Sequence, residues 1–429
     1  MHARARQRLT TGTRLAPKHH ARDENLHSSL LAYDPRVAGT HTDVTLGIVP
    51  TQEETLLREA VAGICNSFGR TYMQEKRDAG EPPRELWDAL AARGYMGVNI
   101  PEEYDGGGLG MTALSWVGEE IAAAGCSLLL IVVSPAIVGN ILDKHGTLEQ
   151  KERWLRGIGA GTTKIAFAIT ESDAGSNSHN LSTSLRRDGH RFILKGQKTF
   201  ISGVEDADAV LVVARTRLAD GELGLPSLAI VDVDAPGFTR QQIPMAVRGA
   251  DRQWTLFFDD VELEEERLIG GENGGLGVVF DGLNPERIMG ASISTGVGRL
   301  ALSLGAAYAR EREVWGRPIG AHQGVAHPLA EAKVQLELAR LMTQKASALY
   351  DGGAPGAGES ANMAKYAAAE AAIHCVDSAI QAHGGNGFAL EYGLSDLWWA
   401  ARVARTAPVS REMVLNYVAE HSLGLPKSY

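Results

Sequence analysis

The chain has 429 residues, 44% hydrophobic and 22% charged, the balance of a globular protein with more than one packing unit. Lys and Arg number 42 against 52 Asp and Glu, and the net charge of −10 argues against nucleic-acid or anionic-membrane binding, which need a basic face. Three scattered cysteines, Cys65, Cys126 and Cys375, exclude a disulfide framework and offer no paired metal ligands, and no apolar run approaches the roughly 20 residues of a membrane span.

Residues 1–50 carry Arg4, Arg6, Arg8, Arg14, Lys18 and Arg22 before any acidic residue and little apolar content, a composition that predicts disorder. An Arg-rich start also fits a transit peptide, and without an apolar core segment it does not read as a secretory signal. Order is expected from Thr51. Thr51 and Glu54 have capping-box spacing, followed by Leu57, Val61, Ile64, Cys65 and Phe68 at helical intervals. Helical patterns recur at 85–93, 111–124 and 149–157, so residues 51–162 read as an all-helical domain. Short β-branched or aromatic runs at 165–169, 191–195, 209–213, 227–233 and 254–258 then predict a β-domain over 163–271. Helical spacing returns from Leu283, through Val297, Leu300, Leu304 and Ala307, then Leu338, Leu341, Met342 and Leu349. The segment 272–429 therefore reads as a helical bundle, and the whole as α+β.

Four motifs stand out. Thr170-Glu-Ser-Asp-Ala-Gly-Ser176 follows a strand with hydroxyls and small residues, suited to a flat polar ring edge or a phosphate, although alone it reads as a turn. Lys198-Thr-Phe-Ile-Ser202 puts an aromatic ring and a hydroxyl on a strand. Arg312, Trp315-Gly-Arg-Pro318 and Gln323 follow a helix, where an ion-paired face is the simpler explanation and a pyrophosphate or adenine partner the alternative. Gln381-Ala-His-Gly-Gly-Asn-Gly387 has more glycine than a helix cap requires.

In this order and spacing the motifs resemble the acyl-CoA dehydrogenase flavoproteins, from about Thr51 to the C-terminus, including Arg248-Gly249 and residues 257–261. The resemblance implies an N-terminal helical domain, a β-barrel-like middle domain and a C-terminal four-helix bundle, with FAD held between the last two, commonly in a homotetramer. By the same resemblance Phe167, Ile169, Thr170, Phe200 and Ser202 lie along the flavin ring and its N5 edge. Ser176 contacts FAD phosphate or the pantetheine of a thioester. Arg312, Trp315, Gln323, Gln381, Gly384 and Gly385 reach FAD from a neighbouring subunit. Ser410 falls where the family has a Thr near the flavin, and Glu412 follows it. No metal is implied. The implied reaction is α,β-dehydrogenation of an acyl-CoA or acyl-carrier thioester, with electrons passed to electron-transferring flavoprotein. A flavin-dependent oxidase or monooxygenase is the alternative activity, and a non-catalytic partner subunit a third reading. Bacterial cytoplasm is the implied location, with a mitochondrial matrix the alternative.

One departure bears on chemistry. Many members take the α-proton with the Glu of a Tyr-Glu-Gly-Thr segment; here that segment reads Ala407-Pro-Val-Ser410, so the Glu position is Pro408. Proline also lacks the N–H that helps to bind the thioester carbonyl. The isovaleryl and long-chain types place the Glu on the first bundle helix, and Gly282-Leu-Asn-Pro-Glu-Arg287 resembles their pattern. Glu286 is thus the expected base, with Asn284 and Arg287 on the substrate side, and Pro285-Glu286 is expected at a helix start.

Overall fold

The computed structural model describes residues 50–218, 221–247 and 249–427. The basic leader and Arg248 lie outside the described residues.

Helix α1 (Gln52–Ala79) starts where the Thr51 hydroxyl accepts the Glu54 N–H at 3.1 Å, but the Glu54 carboxylate turns to Arg58 at 3.6 Å and leaves the capping box half made. Val61 and Cys65 are fully buried, with Leu57, Ile64 and Phe68 packed beside them. Helices α2 (Arg84–Ala91) and α3 (Gly110–Ala123) follow, the latter almost wholly buried. A π-helical segment Val132–Gly139 runs into α4 (Asn140–His145), and α5 (Leu148–Gln150) and α6 (Arg156–Gly159) are joined by another such turn.

Eight strands form one sheet: β1 (Ile165–Ala168), β2 (Ser184–Asp188), β3 (Arg191–Ser202), β4 (Ala209–Arg217), β5 (Leu223–Asp232), β6 (Phe238–Ile243), β7 (Gln253–Glu264) and β8 (Leu268–Ile269). The path is β6-β7-β3-β2-β4-β5-β8 with β1 added parallel to β4, and it is open at β6 and β8. β2, β6 and β8 have no counterpart among the expected strands. β6 is mostly exposed and β8 has two residues, so neither carries an apolar run.

Both faces of the sheet centre are covered, which is why β4 reads as a continuous apolar run rather than an alternation. Ala166, Ala168, Val210 and Val212 face a cluster shared with α1, α2 and α3, while Ile165, Phe167, Leu211 and Val213 face a second one shared with Ile137, Ile141 and Ile158.

The remaining chain is built on three long helices, α7 (Gly275–Glu311), α8 (Gln323–Asp351) and α9 (Ala357–His383), with α10 (Leu394–Val403) as a short fourth and α11 (Arg411–Tyr417) after it. A two-strand hairpin, β9 (Glu313–Val314) and β10 (Arg317–Pro318), joins α7 to α8. Alanine-lined contacts such as Ala339, Ala346, Ala364, Ala368 and Ala371 let these helices approach closely. Leu338 and Leu341, expected to mark a core stripe, are instead 62% and 48% exposed; Leu336, Ala339 and Thr343 take the inner face of α8. Among the described residues no helix is long and apolar enough to cross a membrane.

Candidate active site

Glu286 does not begin a helix. It lies well inside α7, so the helix-start explanation of its charge fails. Pro285 is accommodated within the helix: a proline cannot donate to the carbonyl four residues back, and that carbonyl, Asp281 O, is met by the Tyr350 hydroxyl at 3.4 Å. The Asp281 carboxylate accepts Lys144 at 2.9 Å and His145 Nε2 at 2.7 Å, tying this turn of α7 to α4.

The Glu286 carboxylate, by contrast, has no hydrogen bond or ion pair to any described residue. Its residue keeps some access to solvent, yet burial is the largest influence on its proton affinity. Burial pushes it up to about 7 against the charges of Arg287 and Lys365, which lower it. Arg287 donates to Asn284 Oδ1 at 3.0 Å, and burial lowers its own affinity despite the nearby Glu286. Lys365, from α9, is only 2% exposed. Burial and the Arg287 charge bring it down to about 8, opposed by Glu286, Glu412 and Glu370, and its ammonium donates to the Val409 carbonyl.

Val409 belongs to the segment 407–410. A Cβ added to Gly290 would sit 3.5 Å from the Pro408 ring, so this segment lies over α7 at Gly290. Gly290 is four residues beyond Glu286 and hence on the same helix face. The fold thus brings together Glu286 and the residue that replaces the base at its more common position. Pro408 itself has no N–H, and the Val409 N–H meets no acceptor in the described chain. The Ser410 hydroxyl caps α11 by accepting the Met413 N–H at 3.2 Å, while Glu412 is exposed beside Arg411 at 3.7 Å.

The second group lies where β1 ends. The Thr170 carbonyl accepts the Thr199 N–H at 2.9 Å, and Lys198 Nζ donates to the Ile169 carbonyl at 2.9 Å, which pins the Thr170 turn to β3. The anchor of both is Glu171, whose carboxylate takes Lys198 at 2.7 Å, Ser182 N–H and O–H at 2.7 Å each, and Thr183 N–H at 3.0 Å. Burial would raise the Glu171 carboxyl, but the Lys198 charge and these hydrogen bonds hold it at about 2. Burial meanwhile brings Lys198 down to about 8 against the attraction of Glu171. The two effects oppose, so the pair fixes position more than it adds net stability. The spacing of Glu171 and Lys198 did not reveal this pair; a lysine within the β3 strand pattern was the available signal.

Phe200 follows at φ +56°, at a register shift in the β3–β7 ladder, and its ring is 56% exposed. A bulky aromatic held out in a left-handed backbone conformation is a costly arrangement that functional surfaces concentrate. Ser202 exchanges a hydrogen bond with Gln253 at 3.0 Å, Ser176 is exposed, and Phe167 is buried in the second core cluster. Ile169, beside the Thr170 turn, and Leu283 of α7 both border that same cluster.

The third group is at one end of the bundle. Arg312 is the residue that ends α7 rather than one on its face, Trp315 forms the β9–β10 turn at φ +54° and is 86% exposed, and Gln323 opens α8. His322 Nε2 is buried there without a partner. Gln381, Gly384 and Gly385 are exposed where α9 ends, with open space where each glycine would carry a Cβ. Gly387 differs: its Cβ would meet the Ile380 carbonyl at 2.7 Å, so close packing within the chain accounts for it. His383 bonds the Ala379 carbonyl at 2.7 Å and stacks on Tyr308, a structural role. Among the described residues no hydrogen bond, ion pair or ring contact links this third group to Thr170, Phe200 or Glu286. No cluster of His, Cys, Asp or Glu suited to a metal occurs among them either.

Residues 51–162, 166–261 and 273–423 match, respectively, the N-terminal, middle and C-terminal domains of acyl-CoA dehydrogenases. The acyl-CoA dehydrogenase FadE12 of Mycobacterium tuberculosis is 53% identical over 382 residues, 89% of this chain and 98% of that protein. A 3-(aryl)acrylate reductase of Clostridium sporogenes is 31% identical over 87% of this chain and 99% of its own. The solved butyryl-CoA dehydrogenase of Megasphaera elsdenii superposes with a TM-score of 0.80 at 26% identity, covering 86% of this chain and 98% of its own.

Proposed function

Because the chain belongs to the FAD-dependent acyl-CoA dehydrogenase family, we propose that it desaturates an acyl-CoA thioester between Cα and Cβ, with Glu286 as the base. The observation that carries this reading is the contrast at one helix face: proline where many relatives have the base, and an unpaired, partly buried carboxylate raised to about 7 beside it. A base poised near neutral pH is half available there and still strong enough to take a weakly acidic proton.

The chain's own residues suit the cofactor in two places. Phe200 and the Thr170 turn offer an exposed aromatic face beside a rigid strand end, suited to the flavin ring. The exposed Trp315, the orphaned His322 nitrogen and the open Gly384-Gly385 turn offer aromatic, polar and backbone contacts to its nucleotide end. FAD held there would supply the acceptor for the hydride that leaves Cβ. Since no contact among the described residues joins the bundle-end group to the flavin-edge group, we read Arg312, Trp315, Gln323, Gln381, Gly384 and Gly385 as serving a neighbouring copy, in line with the family's homotetramers. Ser176 is read as a contact to cofactor phosphate or pantetheine, and Ser202, Phe167 and Ile169 as supports of the ring edge. Asn284 orients Arg287, which faces the substrate side beside the base. Ser410 and Glu412 remain cofactor-side residues in this reading, the former through its backbone because its hydroxyl caps α11.

As Glu286 takes the α-proton, negative charge grows on the thioester oxygen and needs donors. Pro408 provides none, and the uncommitted Val409 N–H is the nearest substitute on this segment. Electron-transferring flavoprotein is the proposed acceptor, and a carrier-protein thioester is an alternative substrate form. A panel of straight, branched and aromatic acyl-CoA thioesters, scored anaerobically by flavin bleaching, tests the reading. Bleaching by at least one of them in wild type and its loss in Glu286→Gln are expected; equal bleaching in both removes Glu286 as base.

A further inference from the structure

We propose that Lys365 is a positioning residue for this reaction: from α9 it fixes the 407–410 segment through the Val409 carbonyl and holds a positive charge beside Glu286. The inference rests on the reading of Glu286 given above. Three observations carry it. Lys365 is among the few lysines buried to this depth, at 2% exposure, in a helix whose neighbouring inner positions are alanines. Its hydrogen bond goes to a loop carbonyl rather than to a carboxylate, although Glu370 lies on its own helix and Glu412 on α11. Glu370 is instead taken by Arg405, at 2.8 Å, and by Arg411, at 3.2 Å, so Lys365 has no competing salt bridge.

The consequence is geometric first. Peptide units are planar, so holding the Val409 carbonyl restricts the adjoining peptide units of a segment whose preceding residue, Pro408, gives no hydrogen bond of its own. Val409 N–H is the donor this segment retains without an acceptor. The ends of the segment are held by the Ala407 N–H on the Val403 carbonyl at 2.9 Å and by the Ser410 cap, so Lys365 is the tie at its middle, where a displacement of about 1 Å at a reacting centre costs on the order of 10²-fold in rate. The second consequence is electrostatic. The charged groups around Lys365 are Glu286 and Arg287 on α7, Glu370 on α9 and Glu412 on α11. Among the described residues the cations that influence Glu286 are Arg287 and Lys365, so removal of one raises its proton affinity further.

The test compares wild-type holoenzyme with Lys365→Met and Lys365→Arg by anaerobic flavin reduction across pH, using a thioester that bleaches the wild type, with FAD stoichiometry measured for each. Lys365→Met is expected to keep its FAD, lose about 10²-fold in limiting reduction rate, and move the pH midpoint to the alkaline side. Lys365→Arg is expected to return the midpoint towards that of wild type while recovering less of the rate, because a guanidinium does not reproduce the geometry of an ammonium. A wild-type rate and midpoint in FAD-replete Lys365→Met overturns the inference. If Lys365→Met does not retain FAD, Lys365→Gln decides by the same midpoint, since it removes the charge and keeps a donor; an unshifted midpoint there also overturns it. Failure of the wild type to bleach with any thioester, or full activity in Glu286→Gln, would instead sink the assignment of the reaction or of its base.

Discussion

Two of the regions in which this molecule buries carboxylates treat them in opposite ways. Between α1, α3, α7 and α8, Glu119 and Glu120 are surrounded by arginines: Arg58 reaches both at 2.7 and 2.9 Å, Arg299 grips Glu120 at 2.7 and 3.1 Å, and Arg340 meets Glu119 at 2.6 Å. Burial would raise Glu119, but the charges of Arg58, Arg340 and Arg299 keep it below the usual carboxylate range. Glu171 is satisfied in the same manner by Lys198 and the Ser182–Thr183 backbone. Glu286 has two cations near it and a bond to neither, so burial prevails and its affinity for a proton rises. A buried acid that is fully paired locks elements together, whereas one left unpaired is ready to take a proton.

The largest expected effect on the paired side comes from Glu171. Glu171→Gln or Lys198→Met leaves an uncompensated buried charge, or strands the donors that met one, and should cost about 3–5 kcal/mol in denaturant unfolding. It should also loosen the Thr170 turn and weaken FAD retention. Loss of less than about 1 kcal/mol would mean that the pair is not the anchor described. Glu119→Gln should cost less, about 2 kcal/mol, because Glu120 still answers Arg58 and Arg299; the same unfolding measurement ranks the two. The smallest effect has the opposite sign. A carboxyl whose folded affinity is raised from its ordinary 4.5 to about 7 makes the folded state bind more protons, so wild-type stability should fall as pH rises between those values. Glu286→Gln removes that loss. It should be the more stable protein at about pH 8 by about 1–2 kcal/mol, less than the roughly 3 kcal/mol of the full shift because Glu286 keeps some access to solvent, with the advantage gone near about pH 4. Equal pH dependence of melting in the two proteins would place Glu286 on the paired side after all.

Much of the molecule was legible from sequence because its signals are local. The helical intervals of α1, α3 and α7, the apolar runs of β1, β4 and β5 and the order of the four motifs needed no knowledge of long-range contacts. What escaped depended on partners distant in the chain. β6 carries no pattern because the sheet, not its mostly exposed side chains, holds it, and β8 is buried but too short to show one. Leu338 and Leu341 kept helical spacing but took the outer face, since periodicity locates a stripe without saying which side is covered. Pro285 suggested a helix start, and only Tyr350, far along the chain, shows how the helix continues through it. Within the site Glu286 was readable from its motif, while Lys365 was invisible: a lone lysine in an alanine-rich helix announces nothing until the fold sets Val409 against it.

The central claim is that Glu286 takes the substrate proton, and the pH dependence of anaerobic flavin reduction by a bleaching acyl-CoA tests it most directly. With Glu286 as the base, the limiting rate rises with pH through a midpoint near 7 in wild type and falls by about 10²–10⁴-fold in FAD-replete Glu286→Gln. An unchanged rate in Glu286→Gln, with the same midpoint, would contradict it.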